Sequence, residues 1–489
     1  MSRALILRLV CACFLVLSWH TSLCHAQQCR LRLAQDVLNE PPTRTTASAA
    51  PSFTLTPPVG GDIAPNSTVP SSTTGPTISG SSSASATPTP TPFNYGVTPI
   101  RGVNLGGWFV LEPWITPSIF QNTNNTGIVD EFTMGQMLDS DTVSDILENH
   151  WKTWITEDDF IAIKNAGLNH VRIQIGYWSV PITSADTNFS TSVSPYTPGA
   201  WPYFVQALNW AKAHGLHTIV DLHGAPGSQN GFDNSGQRTG NPTWGQDPNS
   251  VPRTLDIIKF IAEKVGGLID VMELLNEPAA YRQSVANVLE GFWTQGYNVV
   301  RNTAGGAMKV MIGDGFLGVQ SWENFLTYPN AQGVFMDFHE YQIFNFDQLE
   351  LSWDAHINYS CSVKDMLTSY AQSNLFTIIG EWTTAPTDCA MWLNGRGVGA
   401  RWDGTWQPGQ QTFGSCQGMT GSMATFSNDY KTFLRKYWEA QVTIGEAIQG
   451  WVYWTWKAEN ADDWSYQKGL EGGWIPQDPD DRLYPNLCS

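Results

Sequence analysis

Eight short runs of apolar or β-branched residues alternate with segments of helical character, and this alternation limits the possible folds of the chain more than any other feature. The order strand, helix, strand predicts parallel strands joined by helical crossovers. Eight such units in a row favour an α/β fold with a closed (β/α)8 TIM barrel over an open doubly wound sheet. The predicted strands are Ile100 to Leu105, His170 to Ile175, His217 to Leu222, Val271 to Leu275, Met308 to Ile312, Val334 to His339, Phe376 to Gly380 and Gly450 to Thr455.

The segments between the predicted strands are amphipathic or carry helix caps. Thr156 followed by Asp159 is typical of a helix start, and Gly167 of a helix end. No Gly-x-Gly-x-x-Gly run opens the first unit, which argues against dinucleotide binding, and we expect no cofactor. The predicted helices are Thr156 to Asn165, Ala200 to His214, Pro252 to Val265, Tyr281 to Thr303, Val363 to Gln372 and Ser427 to Ile444.

Two glutamates follow apolar runs directly. Glu277 lies in Leu274-Leu275-Asn276-Glu277-Pro278, and Glu381 lies in Ile378-Ile379-Gly380-Glu381-Trp382. A barrel presents its reactive side chains at the carboxyl ends of its strands. Glycoside hydrolysis needs a proton donor for the leaving oxygen and a second carboxylate at the oxocarbenium-like centre. The pair therefore predicts this chemistry, although structural carboxylates are the simpler alternative.

Further polar and aromatic side chains gather at the predicted strand ends, which converge on one face of a barrel. We expect them to surround the two glutamates. They are Glu112 after strand one, Arg172 in strand two, His223 after strand three, Asn276 after strand four, His339 and Tyr341 at strand six, and Trp454 at strand eight.

The N-terminal 26 residues resemble a secretory signal. Arg3 and Arg8 precede an apolar stretch, and Cys24-His25-Ala26 supplies small residues near a cleavage point. We expect a mature chain that begins near Gln27, is secreted and has no transmembrane span. An uncleaved signal anchor is the alternative, but the apolar stretch is short for a bilayer core of roughly 30 Å.

A low-complexity stalk is predicted between the signal and the barrel. Residues 41–92 are mostly Ser, Thr, Pro, Ala and Gly and cannot bury enough apolar surface to fold. We therefore divide the chain into a signal peptide at 1–26, a disordered stalk at 27–92 and a barrel domain at 93–489. Glycosylation sequons occur at Asn66, Asn124, Asn188 and Asn358.

The formal net charge of −18 argues against a nucleic-acid partner, which requires basic surfaces. A neutral, hydrated substrate suits this charge better. Of the 22 tryptophans, 21 lie from Trp108 onward. Such rings can stack on sugars, but most rings in a large domain belong to its core.

Five cysteines follow the predicted signal, at positions 29, 361, 389, 416 and 488. The last four lie in the barrel domain, where an oxidising compartment allows three pairings among them. No two are spaced as a Cys-x-x-Cys knuckle, so we expect no metal site. Cys29 is the odd cysteine, either free or paired between molecules.

Several motifs together resemble glycoside hydrolase family 5. They are Asn276-Glu277-Pro278, His339-Glu340-Tyr341, Gly380-Glu381-Trp382 and Trp454-Thr455-Trp456-Lys457. The run Gly102 to Trp108 and the fourteen-residue run His223 to Gly236 look like the fungal exo-β-1,3-glucanase branch of that family. The resemblance covers roughly residues 98–488.

The resemblance implies a role for each matching residue. Glu277 would be the acid/base and Glu381 the nucleophile, and Asn276 would bind the sugar 2-hydroxyl. Arg172, His339 and Tyr341 would hold the nucleophile ionised. The terminal sugar would contact Glu112, His223 and Trp454, and the next ring would lie between Phe232 and Phe344. The matched run also contributes Asp233 and Asn234. The disulfides implied are Cys361 with Cys488 and Cys389 with Cys416.

The expected activity is a retaining exo-β-1,3-glucanase that releases glucose from the non-reducing end of β-glucan. We expect a raised pKa for the acid Glu277 and an ionised Glu381. A β-glucanase of another linkage such as β-1,6, an internal cleaver and an inactive wall-binding protein are the alternatives. We expect a monomer outside the cell, with wall association left open.

Overall fold

The computed structural model describes residues 92–488. The predicted signal peptide at 1–26, all but the last residue of the predicted stalk, Cys29 and the sequon at Asn66 lie outside the described residues. The division of the chain at residue 93 therefore stays a prediction.

Eight parallel strands close into one barrel, as the sequence predicts. Each strand pairs with the next, and the last pairs with the first, where Ile100 lies opposite Gly450. All eight predicted strands are confirmed, with ends that shift by a few residues. Their bounds are β1 Ile100–Asn104, β2 His170–Gly176, β3 His217–Gly224, β4 Val271–Glu273, β5 Lys309–Gly313, β6 Val334–Glu340, β7 Phe376–Trp382 and β8 Gly450–Tyr453.

Helices connect the strands and surround the barrel. The predicted cap of the helix Glu157–Asn165 is confirmed, because Asp159 Oδ2 accepts a hydrogen bond from Thr156 N at 2.8 Å. Gly167 follows the helix with φ 74°, a conformation that glycine adopts freely. The bounds are α1 Pro117–Asn122, α2 Glu131–Met137, α3 Ser140–Thr153, α4 Glu157–Asn165, α5 Trp201–Ala213, α6 Ser250–Val265, α7 Gln283–Ala304, α8 Phe346–Leu349, α9 Trp353–Ser373, α10 Asn428–Glu446 and α11 Tyr466–Gly472.

The connections do not all consist of one helix: α1 to α4 lie between β1 and β2, and α8 and α9 lie between β6 and β7. The segment between β5 and β6 forms only a 3-10 turn, Val319–Trp322, where a regular unit would have an α-helix. The helix before β7 begins at Trp353, ten residues earlier than predicted, because Ser352 caps it by accepting from Ala355 N. The first turn is Trp353-Asp354-Ala355-His356, in which only alanine is a strong helix former, so the cap fixes the start.

The half of the barrel interior nearer the amino ends of the strands is apolar. One buried side chain from every strand except β2 contributes to this cluster: Ile100, Ile219, Val271, Met311, Phe335, Ile378 and Val452. Phe93 and Tyr95 pack against it. The predicted site is located at the other end of the barrel, at the carboxyl ends of the strands.

Both implied disulfides, Cys361–Cys488 and Cys389–Cys416, are present. The first ties α9 to the C-terminal segment, and the second closes part of the long loop after β7. The three sequon asparagines in the described part, Asn124, Asn188 and Asn358, are exposed. Among residues 92–488, no helix is long and apolar enough to cross a bilayer.

Candidate active site

Glu277 and Glu381 face each other at the carboxyl end of the barrel. Glu381 belongs to β7, and Glu277 lies four residues beyond β4. One carboxylate oxygen of each glutamate and one ring nitrogen of His339 all lie within 4.8 Å of one another. Glu277 has φ 44°, a left-handed conformation that is rare for a residue with a side chain and often marks functional sites. The sequence therefore predicts the meeting of the two glutamates correctly.

Arg172 connects the walls of this site. Its guanidinium is fully buried. It donates from Nη1 to Glu381 Oε1 at 2.8 Å and from Nη2 to Asn276 Oδ1 at 2.8 Å. Two further bonds, of 2.7 and 3.0 Å, go to the two carboxylate oxygens of Glu273. This bidentate pairing fixes the plane of the guanidinium. The hydrogen bond from Arg172 on β2 to Glu381 therefore has a fixed direction.

Glu381 has a second partner at its other oxygen. Tyr341 donates its hydroxyl to Glu381 Oε2 at 2.9 Å. His339 Nδ1 is 3.5 Å from the same oxygen but only 2.9 Å from Glu277 Oε1. The expectation that Arg172 and Tyr341 contact Glu381 agrees with these contacts, whereas His339 is bonded chiefly to Glu277.

The structure also brings together acidic residues that the sequence analysis missed. Asp221 Oδ2 is 2.5 Å from His223 Nδ1, and Asp337 Oδ2 is 3.1 Å from His339 Nε2. Glu273 is the third of these acidic residues, and it accepts two hydrogen bonds from Arg172. A signal for the first two exists in the sequence, because each aspartate precedes its histidine by two residues and so shares its face of the strand.

The pKa directions in the free site are set by His339. Burial lowers the pKa of an imidazole, but Glu381 and Asp337 raise that of His339 well above its usual value. Burial opposes ionisation of Glu277, but the hydrogen bond and charge of His339 outweigh it, so its pKa is lowered. Burial raises the pKa of Glu381 against the opposing charges of His339 and Arg172. These directions are opposite to the expected ones, because the imidazolium donates to Glu277.

Several buried polar atoms around the glutamates have no hydrogen-bond partner within residues 92–488. They are Glu112 Oε1, His223 Nε2, Asp233 Oδ2 and Asn276 Nδ2. Burial raises the pKa of Glu112 well above its usual value, and the nearby Asp233 adds to this. Burial likewise raises the pKa of Asp233 to about 6. Buried polar atoms are normally paired, so this cluster is prepared to bind a polar ligand.

Aromatic rings line the same region. The Trp454 indole stacks on the His223 ring with centroids 5.7 Å apart and planes 9° apart. Phe232 packs edge-on against Phe316, and Phe344 packs edge-on against Tyr341. Phe232 and Phe344 are half-buried and belong to the loops after β3 and β6, respectively.

Asn234 is the last of the predicted site residues. Its Nδ2 donates to Glu277 Oε2 at 3.1 Å, so the loop after β3 holds the second oxygen of this glutamate. Glu277 is thus bonded from strand β6 by His339 at one oxygen and from the loop after β3 by Asn234 at the other.

Two groups of side chains are close enough to share a metal ion: Glu277, His339 and Glu381, and also Glu273, Asp337 and His339. Hydrogen bonds already connect His339 to Glu277 and to Asp337. We therefore assign these atoms to hydrogen bonding and name no metal ligand.

Comparison with known proteins agrees with this geometry. Residues 138–394 match the family described as Cellulase (glycosyl hydrolase family 5). The chain is 44% identical over 407 residues to the glucan 1,3-beta-glucosidase of Blumeria graminis, a match that covers 81% of this chain and 91% of that protein. The chain belongs to glycoside hydrolase family 5. It is therefore a glycoside hydrolase.

Other relatives of this family 5 hydrolase are similar over the same length. The probable glucan 1,3-beta-glucosidase A of Aspergillus niger is 41% identical over 400 residues, which cover 81% of this chain and 92% of that protein. Among solved structures, a rutinosidase from Aspergillus niger superposes with a TM-score of 0.60 at 18% identity, covering 79% of this chain and 100% of that one. At this identity the likeness supports the barrel fold alone.

Proposed function

We propose that this family 5 hydrolase is a retaining exo-β-1,3-glucanase with Glu277 as acid/base and Glu381 as nucleophile. The observation that carries the proposal is that one carboxylate oxygen of Glu277 lies within 4.8 Å of one carboxylate oxygen of Glu381. Retaining enzymes have carboxyl groups about 5 to 5.5 Å apart, whereas inverting enzymes need about 6.5 to 9.5 Å to admit a water molecule.

In the first step, Glu381 attacks the anomeric carbon, the glycosidic bond breaks, and Glu277 gives its proton to the leaving oxygen. In the second step, Glu277 takes a proton from water, and the water oxygen displaces Glu381. Arg172 and Tyr341 each bond one oxygen of Glu381, which supports the ionised form of the nucleophile. The product keeps the β configuration of the substrate.

The proton for the first step belongs to the pair formed by His339 and Glu277. In the free site it lies on His339 Nδ1, 2.9 Å from Glu277 Oε1. When a substrate oxygen approaches Glu277, transfer along this hydrogen bond makes the carboxyl a proton donor. Asp337 Oδ2 accepts a hydrogen bond from the other ring nitrogen, His339 Nε2, at 3.1 Å. This bond fixes the position of the imidazole ring.

Exo cleavage requires recognition of the terminal sugar. The open atoms of Glu112, His223, Asp233 and Asn276 suit the hydroxyls of one sugar ring, with Trp454 beside it. A second ring would lie between Phe232 and Phe344. The long loop from His223 to Gly236 would block a third ring beyond the terminal one.

The names of the relatives support a β-1,3 linkage, because the two described above are a glucan 1,3-beta-glucosidase and a probable one. The sequence features of residues 1–92 support export of the protein, so extracellular β-glucan, including that of a cell wall, is the proposed substrate. The exposed sequons and both disulfides suit that compartment.

Product analysis tests the proposal. The protein is incubated with linear β-1,3-glucan and, in parallel, with β-1,6- and β-1,4-glucans. We expect glucose from the first moments on the β-1,3 polymer, with the β anomer visible first by proton NMR. Early mixed oligosaccharides with a fast fall in viscosity would show internal cleavage, and the α anomer first would contradict retention. No product from any glucan would favour a binding protein.

A further inference from the structure

A cavity of about 480 Å³ opens between the start of α9 and the long loop that follows β7. Its walls include Trp353, Asp354, His356, Thr387, Trp402 and Met419. Its volume is within the range of ligand pockets, roughly 300 to 1,000 Å³. None of these wall residues is among the described side chains that hydrogen-bond Glu277 or Glu381.

The loop that forms one wall is fixed in place. The disulfide Cys389–Cys416 closes it. Next to this disulfide, the fully buried Asp388 accepts hydrogen bonds from the backbone N of Arg401 at 2.8 Å and of Trp402 at 3.0 Å. The position of the Trp402 indole is therefore built into the loop and does not depend on a ligand.

Two half-buried indoles face the cavity from opposite segments. Trp353 stacks on Phe433 with centroids 5.1 Å apart and planes 15° apart, and Trp402 packs against Phe413 at 6.3 Å. A pyranose ring carries C–H groups on its faces and hydroxyls around its edge. Indole rings in the cavity wall can pack on the C–H faces, and polar wall atoms can hydrogen-bond the hydroxyls.

Thr387 supplies an open polar atom. The residue is 1% exposed, and its Oγ1 has no hydrogen-bond partner among residues 92–488. Thr387 differs from other residues with unpaired hydroxyls in lying in the cavity wall, so its Oγ1 is available to bond a ligand group there.

The charges in the walls favour a neutral ligand over an anionic one. Asp354 is exposed at the rim and carries a negative charge. His356 is buried, with Nδ1 2.9 Å from Gln342 Oε1, and burial lowers its pKa to about 4, so it is neutral above that pH. A neutral, hydroxyl-rich ligand is the class that fits.

We propose that this cavity is a second β-glucan-binding site, in which Trp353 and Trp402 stack on sugar rings and Thr387 Oγ1 bonds a hydroxyl. The choice of β-glucan rests on the proposed function. A chain held here stays attached to the protein while its end enters the cleft, which raises the effective concentration of ends.

The test uses the full chain with Glu381→Gln, so that sugar binds without turnover. Calorimetric titration with a linear β-1,3-linked glucose trisaccharide should give two ligands per chain. Thr387→Val in this background should weaken one of the two sites at least about fivefold. Because Val removes an unpaired hydroxyl, it should not lower the melting temperature. Trp402→Ala should remove the same site.

Matched controls lie outside the cavity. Thr368→Val removes another hydroxyl on α9 that has no partner among the described residues, and Trp210→Ala removes a half-buried indole on α5. Both should leave two sites. With Glu381 intact, Thr387→Val should lower kcat/KM on polymeric β-1,3-glucan about three- to tenfold and leave an aryl β-glucoside within about twofold.

One ligand per chain before mutation, or no change in Thr387→Val, would overturn the second site while leaving the proposed function intact. Absence of β-1,3-glucan hydrolysis by the unmodified protein would instead overturn the proposed function.

Discussion

His339 donates from Nδ1 to Glu277 Oε1 at 2.9 Å, so the two residues hold one proton between them. Coupled groups of this kind lose their protons as a pair. The carboxylates of Glu381 and Asp337 raise the pKa of His339 well above its usual value, which keeps this proton bound at neutral pH.

Replacing His339 by Asn should therefore narrow the pH profile of kcat/KM. Without His339, the Glu277 carboxyl alone would hold the proton of the acid, so the alkaline limb should move to lower pH. The acidic limb should move up, because His339 lowers the pKa of Glu381 in the intact site. If the variant lowers kcat but leaves both limbs of the pH profile of kcat/KM unchanged, His339 has a purely structural role.

Changing each glutamate to glutamine should have different consequences. Glu381→Gln should abolish turnover of every substrate, because no covalent intermediate forms. Glu277→Gln should retain the first step on aryl glucosides with good leaving groups and lose it on glucan. Burst kinetics with such an aryl glucoside checks this. Equal losses on both substrates in Glu277→Gln would reverse or remove the assignment of the acid.

Glu112→Ala should lower kcat/KM for β-1,3-glucan about ten- to a hundredfold. Sugar hydroxyls that donate to Glu112 favour its ionised form in the complex, although burial raises its pKa in the free site. A hydrogen bond to a charged group contributes roughly 1.5 to 3 kcal/mol, and about 1.36 kcal/mol corresponds to a factor of ten. Glu112 Oε1 is free to make such a bond, since only Oε2 is used, by Trp114 Nε1 at 2.9 Å. The surface variant Glu157→Ala serves as control, and a loss equal to that control would remove Glu112 from the sugar site.

The ionisation of Asp463 should make the folded protein less stable as pH rises. Burial raises its pKa from 3.8 to about 7 in the folded protein. The folded state then binds more protons than the unfolded state between these values, so this carboxyl destabilises the fold as pH rises through that window. The melting temperature of Asp463→Asn relative to the unmodified protein should therefore increase from pH 4 to pH 7. By calorimetry, a constant difference would show that Asp463 is ionised in both states.

The disulfide Cys361–Cys488 should stabilise the protein more than Cys389–Cys416. The sequence separations are 127 and 27 residues, and the longer closed loop restricts the unfolded chain more. Each bond should contribute about 2 to 5 kcal/mol. Double Cys→Ser variants compared by thermal unfolding would test the order. A larger loss for the shorter loop would point to local strain or packing at the Cys389–Cys416 loop.

The sequence by itself determined the barrel and the pairing of its two glutamates. Strand and helix periodicity are local properties, and a closed parallel barrel follows from eight repeats of one unit. Glu277 and Glu381 each follow an apolar run, so any parallel barrel would bring them to the same face. Local rules were least exact for α9, which begins at Trp353, ten residues before the predicted start, because Ser352 caps it.

Only the tertiary structure decided which groups bond each glutamate. Arg172 meets Glu273, Asn276 and Glu381 across sequence distances of about one to two hundred residues, and no local pattern specifies these pairs. The same holds for His339, which lies nearer to Glu277 than to Glu381 and so reverses the expected pKa directions. Hydrogen-bond partners and pKa shifts depend on distances of a few tenths of an ångström within a buried cluster. Such distances are set by the packing of the whole barrel.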